Sequence, residues 1–151
     1  MSRILLVDPS ASARVPVVKK LEQSGHRVEE ILNGREALDV CLNAPPDCMV
    51  MELVLQELDG FKLLKSLKEN RVTVPVLVTT ELRMQGLEQR CFDLGACAFV
   101  RKPVVPLRLS EIVNELIAGE REKFRPKKVG QADTGGVERE GISGNVDGRD
   151  C

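Results

Sequence analysis

Four short runs of apolar residues, Ile4 to Val7, Cys48 to Met51, Val74 to Val78 and Ala98 to Val100, show no alternation with polar residues. A strand with one wet face alternates, whereas a strand covered on both faces reads as a continuous apolar run. Such strands belong in a parallel sheet, where neighbours need long crossovers that lay helices over both faces. The chain supplies the helices. Residues 11–24 place Val17, Val18 and Leu21 on one side, and 34–42 open with Asn33 and Glu36 three apart, a capping-box-like start. Residues 61–69 offer Phe61, Leu64 and Leu67, and 83–94 supply a fourth helix. The fifth begins at Pro106, a residue suited to a first helical turn, and sets Leu109, Ile112, Val113, Leu116 and Ile117 at helical spacing. A further strand, Arg27 to Leu32, mixes Val28 and Ile31 with Arg27, Glu29 and Glu30, as an edge strand does. Pro16 falls inside the first helix, where it is expected to remove a backbone bond or shift the helix start. Five strand and helix repeats of this kind predict a doubly wound parallel α/β sheet.

The length of 151 residues, with 42% hydrophobic and 30% charged content, fits one domain. No apolar run approaches the roughly 20 residues that span a bilayer, and the opening MSRILLVDPS is too short and too polar for a secretory signal, so the expected location is the cytoplasm. With 22 Lys plus Arg against 23 Asp plus Glu, no global basic field recruits nucleic acid. Cys41, Cys48, Cys91, Cys97 and Cys151 form an odd set without a CxxC pair. Four read as small buried hydrophobes and Cys151 as an exposed thiol. His26 is the one histidine, which excludes a His-based metal site and reads as a turn residue.

Helical and strand periodicity stops near Gly119, so residues 1–119 are read as the domain and 120–151 as a charged, Gly-rich tail. Residues 120–128 carry five positive and two negative charges, and 129–151 two positive and five negative. Seven of the 12 glycines lie in 119–151, with Phe124 the one aromatic, so the tail lacks the apolar surface to offset its ordering entropy. A basic extension of the last helix followed by disorder is expected. Its role is either passive solubilisation or docking of the basic segment on an acidic partner.

In doubly wound sheets the site lies beyond the C-terminal ends of the strands. This brings together Asp8 and Pro9, Glu52, Thr79 and Thr80, and Arg101, Lys102 and Pro103. No GxGxxG or GxxxxGK[ST] follows any strand, so the glycine cradle for a dinucleotide or nucleotide phosphate is absent. These strand ends also offer no nucleophile and base pair and no histidine, so an enzyme is not expected.

Four segments in register with the repeats, ILLVD (4–8), DCMVMELVLQELDG (47–60), PVLVTTE (75–81) and LGACAFVRKP (94–103), resemble the receiver domain of bacterial two-component response regulators over residues 3–118. The resemblance implies the flavodoxin-like (βα)5 fold with strand order 2-1-3-4-5. It also implies a site in which a histidine kinase phosphorylates an Asp ending the third strand, beside Mg²⁺ held by acidic residues after the first. Matched by position, Asp8 keeps one acidic residue, Thr79 stands at the hydroxyl position, Lys102 at the lysine and Phe99 at the aromatic switch, with Asp59 and Gly60 in the turn before the third helix. The Lys102–Pro103 peptide is a candidate cis bond.

The departures fall at the chemistry. Glu52 stands at the phosphoacceptor position, Pro9 replaces the second acidic residue and Gln56 a common loop proline. The resemblance leaves Asp8, Glu52 and the Val54 backbone as the metal set, and the loss of one carboxylate makes any Mg²⁺ site weak or lost. Glu52 is expected either to contact Lys102 and Thr79 where phosphoryl oxygens of an activated receiver would lie, or to be a relic in a polar crevice. The leading expectation is a stand-alone atypical response regulator that binds a signalling protein without phosphorylation. The implied surface is the fourth helix, fifth strand and fifth helix, including Arg83, Gln89, Phe99, Arg101 and Arg108, facing an acidic partner. The alternative is a phosphotransfer receiver, switch or phosphate sink, phosphorylated by a histidine kinase on Glu52 or a nearby carboxylate such as Asp59.

Overall fold

The structure, a computed structural model, describes residues 2–126. Five strands, β1 (Arg3–Val7), β2 (Arg27–Ile31), β3 (Cys48–Glu52), β4 (Val76–Thr80) and β5 (Ala98–Arg101), alternate with α1 (Ala11–Gln23), α2 (Gly34–Asn43), α3 (Gly60–Glu69), α4 (Leu87–Asp93) and α5 (Pro106–Ile117). All neighbouring strands are parallel, in the order β2-β1-β3-β4-β5. The expected flavodoxin-like sheet is the observed one.

The strand pleat divides the core in two. Leu5, Val7, Met49, Met51, Val76 and Val78 pack with residues of α2, α3 and α4, while Ile4, Leu6, Cys48, Val50 and Leu77 pack with α1 and α5. Period-two alternation of buried side chains therefore persists, but because both faces are covered the positions on both are apolar until the strand ends, where Glu52, Thr79 and Thr80 lie. Edge strand β2 is the exception, with Arg27, Glu29 and Glu30 exposed, and charged side chains on such an edge oppose pairing with another chain.

Helix starts follow their caps. The Ser10 hydroxyl accepts from the Ala13 N–H at 3.3 Å, Asn33 Oδ1 from Glu36 N–H at 2.9 Å and Asp59 Oδ1 from Lys62 N–H at 3.0 Å. Capped by Ser10, α1 runs through Pro16 without a shift of its start. The fourth helix is shorter than the expected 83–94, because Gly86 at φ 74° places a left-handed turn before Leu87. β4 begins two residues later than expected, after Pro75, whose ring nitrogen cannot donate to a ladder. Thr79 and Thr80 consequently lie inside the strand rather than beyond it. Cys41, Cys48, Cys91 and Cys97 are buried free thiols, while Cys151 lies outside the described residues. The Lys102–Pro103 peptide is cis.

The basic segment after the last helix is not a helical extension. Gly119 adopts φ 90°, the Gly119 N–H donates to the Leu116 carbonyl and the Glu120 N–H to the Glu115 carbonyl, a paired closure that ends α5. The chain then turns through a short 3-10 segment, Glu122–Phe124. Arg121 Nη2 donates to the Thr73 carbonyl at 3.1 Å, Lys123 pairs with Glu115 at 2.8 Å, and the half-buried Phe124 packs on the α1/α5 side of the core. Residues 120–126 thus pack against the domain; residues 127–151, the rest of the expected tail, lie outside the described ones. No helix among the described residues is long and apolar enough to cross a membrane.

Candidate functional site

At the C-terminal ends of β1, β3, β4 and β5 four side chains converge into one buried polar cluster. Asp8 follows β1, Glu52 ends β3, Thr80 ends β4 and Lys102 follows β5. Lys102 Nζ lies 2.6 Å from Asp8 Oδ2 and 2.9 Å from Glu52 Oε1, with all three side chains nearly out of solvent. Glu52 Oε2 accepts three bonds: from the Thr80 hydroxyl at 2.6 Å, the Leu53 N–H at 2.6 Å and the Val54 N–H at 3.0 Å. The second Asp8 oxygen, Oδ1, accepts from the Ser10 N–H at 2.9 Å. Every carboxylate oxygen in the cluster therefore has a donor, which is the condition for burying such charges at tolerable cost.

Placing Glu52 there depends on two glycines. The β3–α3 loop folds back so closely that a Cβ on Gly60 would lie 2.6 Å from Leu53 Cα, and one on Gly34 1.7 Å from the Leu58 carbonyl oxygen. Their N–H groups donate into the same loop, Gly60 to the Leu53 carbonyl at 2.8 Å and Gly34 to the Gln56 carbonyl at 3.2 Å. The loop is thereby held with the Leu53 and Val54 amides turned onto the Glu52 carboxylate.

The structure separates the two threonines. Thr79 is buried and pairs in register with Glu52, but the hydroxyl that reaches Glu52 belongs to Thr80, one residue further on. The contact expected of Thr79 is made by Thr80 instead: Glu52 is the last residue of β3, and its carboxylate reaches past its register partner to the residue that ends β4. Thr80 also accepts from the Leu82 N–H at 3.2 Å, tying the cluster to the β4–α4 connection. Sequence reasoning missed Arg14 altogether. From α1 its guanidinium donates to the Asp8 carbonyl at 2.7 Å and to Glu30 at 2.9 Å, fixing the backbone beneath the cluster. No spacing motif marks that arginine.

Phe99 is half-buried and packs on the α2/α3/α4 side of the core, with the Arg101 guanidinium 5.2 Å from its ring centroid. Arg101 Nη1 also donates to the Leu82 carbonyl at 2.9 Å. Of the other face residues, Arg83 is exposed, Gln89 donates to Asp93 and Arg108 pairs with Glu111 at 3.3 Å. Asp59 serves as the α3 cap and does not join the cluster. His26 sits in the turn before β2, where its Nε2 lies 2.7 Å from Asn114 Oδ1 of α5.

The expected metal set does not fit a divalent cation in this arrangement. An ammonium occupies the space between Asp8 and Glu52, the remaining carboxylate oxygens are held by N–H and O–H donors, and Val54 turns its N–H toward Glu52. Mg²⁺ demands several oxygen ligands in near-octahedral geometry. Here it would meet Lys102 instead.

Burial pushes the Glu52 carboxyl up, but the bonds from Thr80, Lys102 and Val54 and the Lys102 charge outweigh it and hold the group below its ordinary value. Burial likewise disfavours the Lys102 ammonium, and Asp8 and Glu52 together overcome it, holding that group above its ordinary value. The stability from a depressed Glu52 is complete above about pH 4.3, its unfolded value, and is lost as pH falls through the folded one. That from a raised Lys102 is complete below about pH 10.4 and is lost as pH rises through its folded value. Urea midpoints are therefore expected to be flat between these limits and to fall on either side, with Glu52→Gln flattening the acid limb. An acid limb unchanged by that substitution would show that the pairing carries no pH dependence.

Residues 4–114, which carry all of the cluster's side chains, match the family model described as response regulator receiver domain. The chain belongs to the response regulator receiver family. This receiver is 32% identical over 105 residues to a protein-glutamate methylesterase/protein-glutamine glutaminase of Treponema denticola, a match covering 67% of the chain and 28% of that relative. The chain thus spans less than a third of that relative's length. Protein PilH of Pseudomonas aeruginosa is 29% identical over 121 residues, covering 79% of the chain and all of PilH. Among solved structures, the signal receiver domain of a signal transduction histidine kinase from Syntrophus aciditrophicus superimposes with a TM-score of 0.72 at 29% identity, covering 81% of this chain and 94% of that one. The receiver fold and a place in two-component signalling follow. The methylesterase relative extends far beyond the matched region, so its activity does not transfer to the receiver.

Proposed function

We propose that this receiver signals by binding a protein partner without being phosphorylated, its Glu52 carboxylate standing in for a phosphoryl group. The supporting observation is the set of donors on that one side chain. Oε2 collects the Thr80 hydroxyl and two backbone N–H groups, and Oε1 collects the Lys102 ammonium. In a phosphorylated receiver the lysine and hydroxyl are the groups that face phosphoryl oxygens, and here they are already charge-assisted partners of a built-in anion. The same contacts oppose phosphoryl transfer. In-line attack needs a free carboxylate oxygen and a neutralising cation beside it; both Glu52 oxygens are engaged, and Pro9 supplies no carboxylate to recruit metal.

The partner surface under this reading is formed by α4, β5 and α5. Arg83 and Arg101 give it cationic groups, and an acidic partner surface is its complement. The segment after residue 126 is the remaining candidate for docking, through Lys127 and Lys128.

The test is phosphorylation in vitro. Wild type, Glu52→Asp and the Pro9→Asp, Glu52→Asp double variant are incubated with Mg²⁺ and acetyl phosphate, and intact masses are recorded. Only the double variant is expected to gain a phosphoryl group. Labelling of the wild type overturns the reading and identifies a phosphotransfer receiver, with Glu52→Gln and Asp59→Asn then locating the acceptor.

A further inference from the structure

The cavity at the strand ends is larger than the ion-pair cluster requires. It measures about 790 Å³, within the roughly 300–1,000 Å³ of sites that hold small organic molecules. From the cluster it continues between β1, α1 and the β5–α5 connection. Leu6, Pro16, Val17, Val50, Val104 and Leu109 give it an apolar wall.

Two features of the lining point to the chemistry of an occupant. Thr79 lines the cavity and is only 4% exposed, and its hydroxyl has no hydrogen-bond partner among the described residues. A hydroxyl that meets the cavity from a nearly buried residue, with no protein partner, is a group that a ligand can satisfy. The second feature is charge. Asp8, Glu52 and Glu81 line the cavity against the single cation Lys102, an excess of two negative charges, and Glu81 is exposed and makes no ion pair among the described residues.

We propose that this cavity binds a small organic cation, an amine carried on an apolar skeleton. The skeleton lies on the apolar wall, and the ammonium lies at the rim with Glu81 and Thr79. An anionic ligand meets a lining of net negative charge and a lysine already held by two carboxylates. A divalent metal meets the lysine. The choice of a cation rests on Lys102 being engaged inside the cluster, as in the phosphorylation-independent reading, but binding and phosphorylation are measured separately.

The chain contains no Trp and no Tyr, so indole fluorescence reports on a probe without background from the protein. Tryptamine is titrated with the full chain and followed by fluorescence anisotropy, alongside indole-3-acetate, which carries a carboxylate on the same ring. Tryptamine is expected to saturate with a Kd below about 1 mM, and indole-3-acetate to bind at least about tenfold more weakly. Glu81→Gln, at an exposed position, is expected to weaken tryptamine about threefold or more without weakening indole-3-acetate. Ala13→Phe, which fills the cavity from α1, is expected to abolish saturation. Failure of tryptamine to saturate the wild type overturns the proposal, as does equal binding of the two indoles or unchanged affinity in folded Ala13→Phe. A wild type that takes a phosphoryl group yet binds tryptamine removes the phosphorylation-independent reading and leaves the cavity assignment standing. An unlabelled wild type that ignores tryptamine does the reverse.

Discussion

Lys102→Met is expected to lower the unfolding free energy by about 3–5 kcal/mol, the usual cost of removing one partner from a buried ion pair. Methionine retains an unbranched apolar side chain, so the change isolates the charge. Without it, Asp8 and Glu52, with side chains about 5% and 8% exposed, face each other with no cation between them. A domain of this size has only about 5–15 kcal/mol to lose, so a substantial fall in the urea midpoint should be evident at neutral pH. The loss should shrink toward pH 4 as one carboxylate takes a proton, and Glu52→Gln in the Lys102→Met background should restore most of it. A single variant within about 0.5 kcal/mol of wild type, the range of ordinary surface substitutions, would mean that solvent or a backbone shift replaces the lysine at little cost.

Gly34→Ala should be nearly as damaging, for a reason unrelated to charge. Its new methyl group would stand 1.7 Å from the Leu58 carbonyl oxygen and 2.8 Å from the carbonyl carbon, which are backbone atoms with little freedom to yield. Overpacking of this kind costs about 3 kcal/mol, since a loop must move to relieve it. The loop that moves carries the Leu53 and Val54 amides, so the acid limb of the stability profile should change together with the urea midpoint. Gly25→Ala is the control: φ is 92° there but the space is open, and about 1 kcal/mol is expected from the left-handed backbone alone. Equal losses in the two variants would show that close approach of the loop to α2 is not the cause.

The five repeats were legible because doubly covered strands carry an unmistakable apolar signature, and because Asn33 and Pro106 mark helix starts by local chemistry. Glu52 and Lys102 were also legible, each lying at or next to the end of a clearly bounded strand. The hydroxyl position was assigned to Thr79, whereas Thr80 makes the contact. Two adjacent threonines give no pattern by which to decide which hydroxyl reaches the site, and even the register, which sets Thr79 opposite Glu52, does not decide it; the hydrogen bond from Thr80 does. Arg14 escaped notice because its contact to Asp8 is with a backbone carbonyl, which any residue presents. The segment 120–128 was read by its charges as an extension of α5, of which residues 120–126 are described. Its single apolar residue, Phe124, and the left-handed Gly119 decide otherwise.

The three donors gathered on Glu52 Oε2 bear on time as well as on structure. An acyl phosphate is made and hydrolysed, and its lifetime sets how long a message lasts. A glutamate carboxylate is added by the ribosome and leaves only when the chain is degraded. Under the phosphorylation-independent reading, neither a kinase nor a phosphatase can reset this molecule, and its output follows the number of copies the cell keeps. Control then passes to synthesis, proteolysis and whatever competes for the same partner.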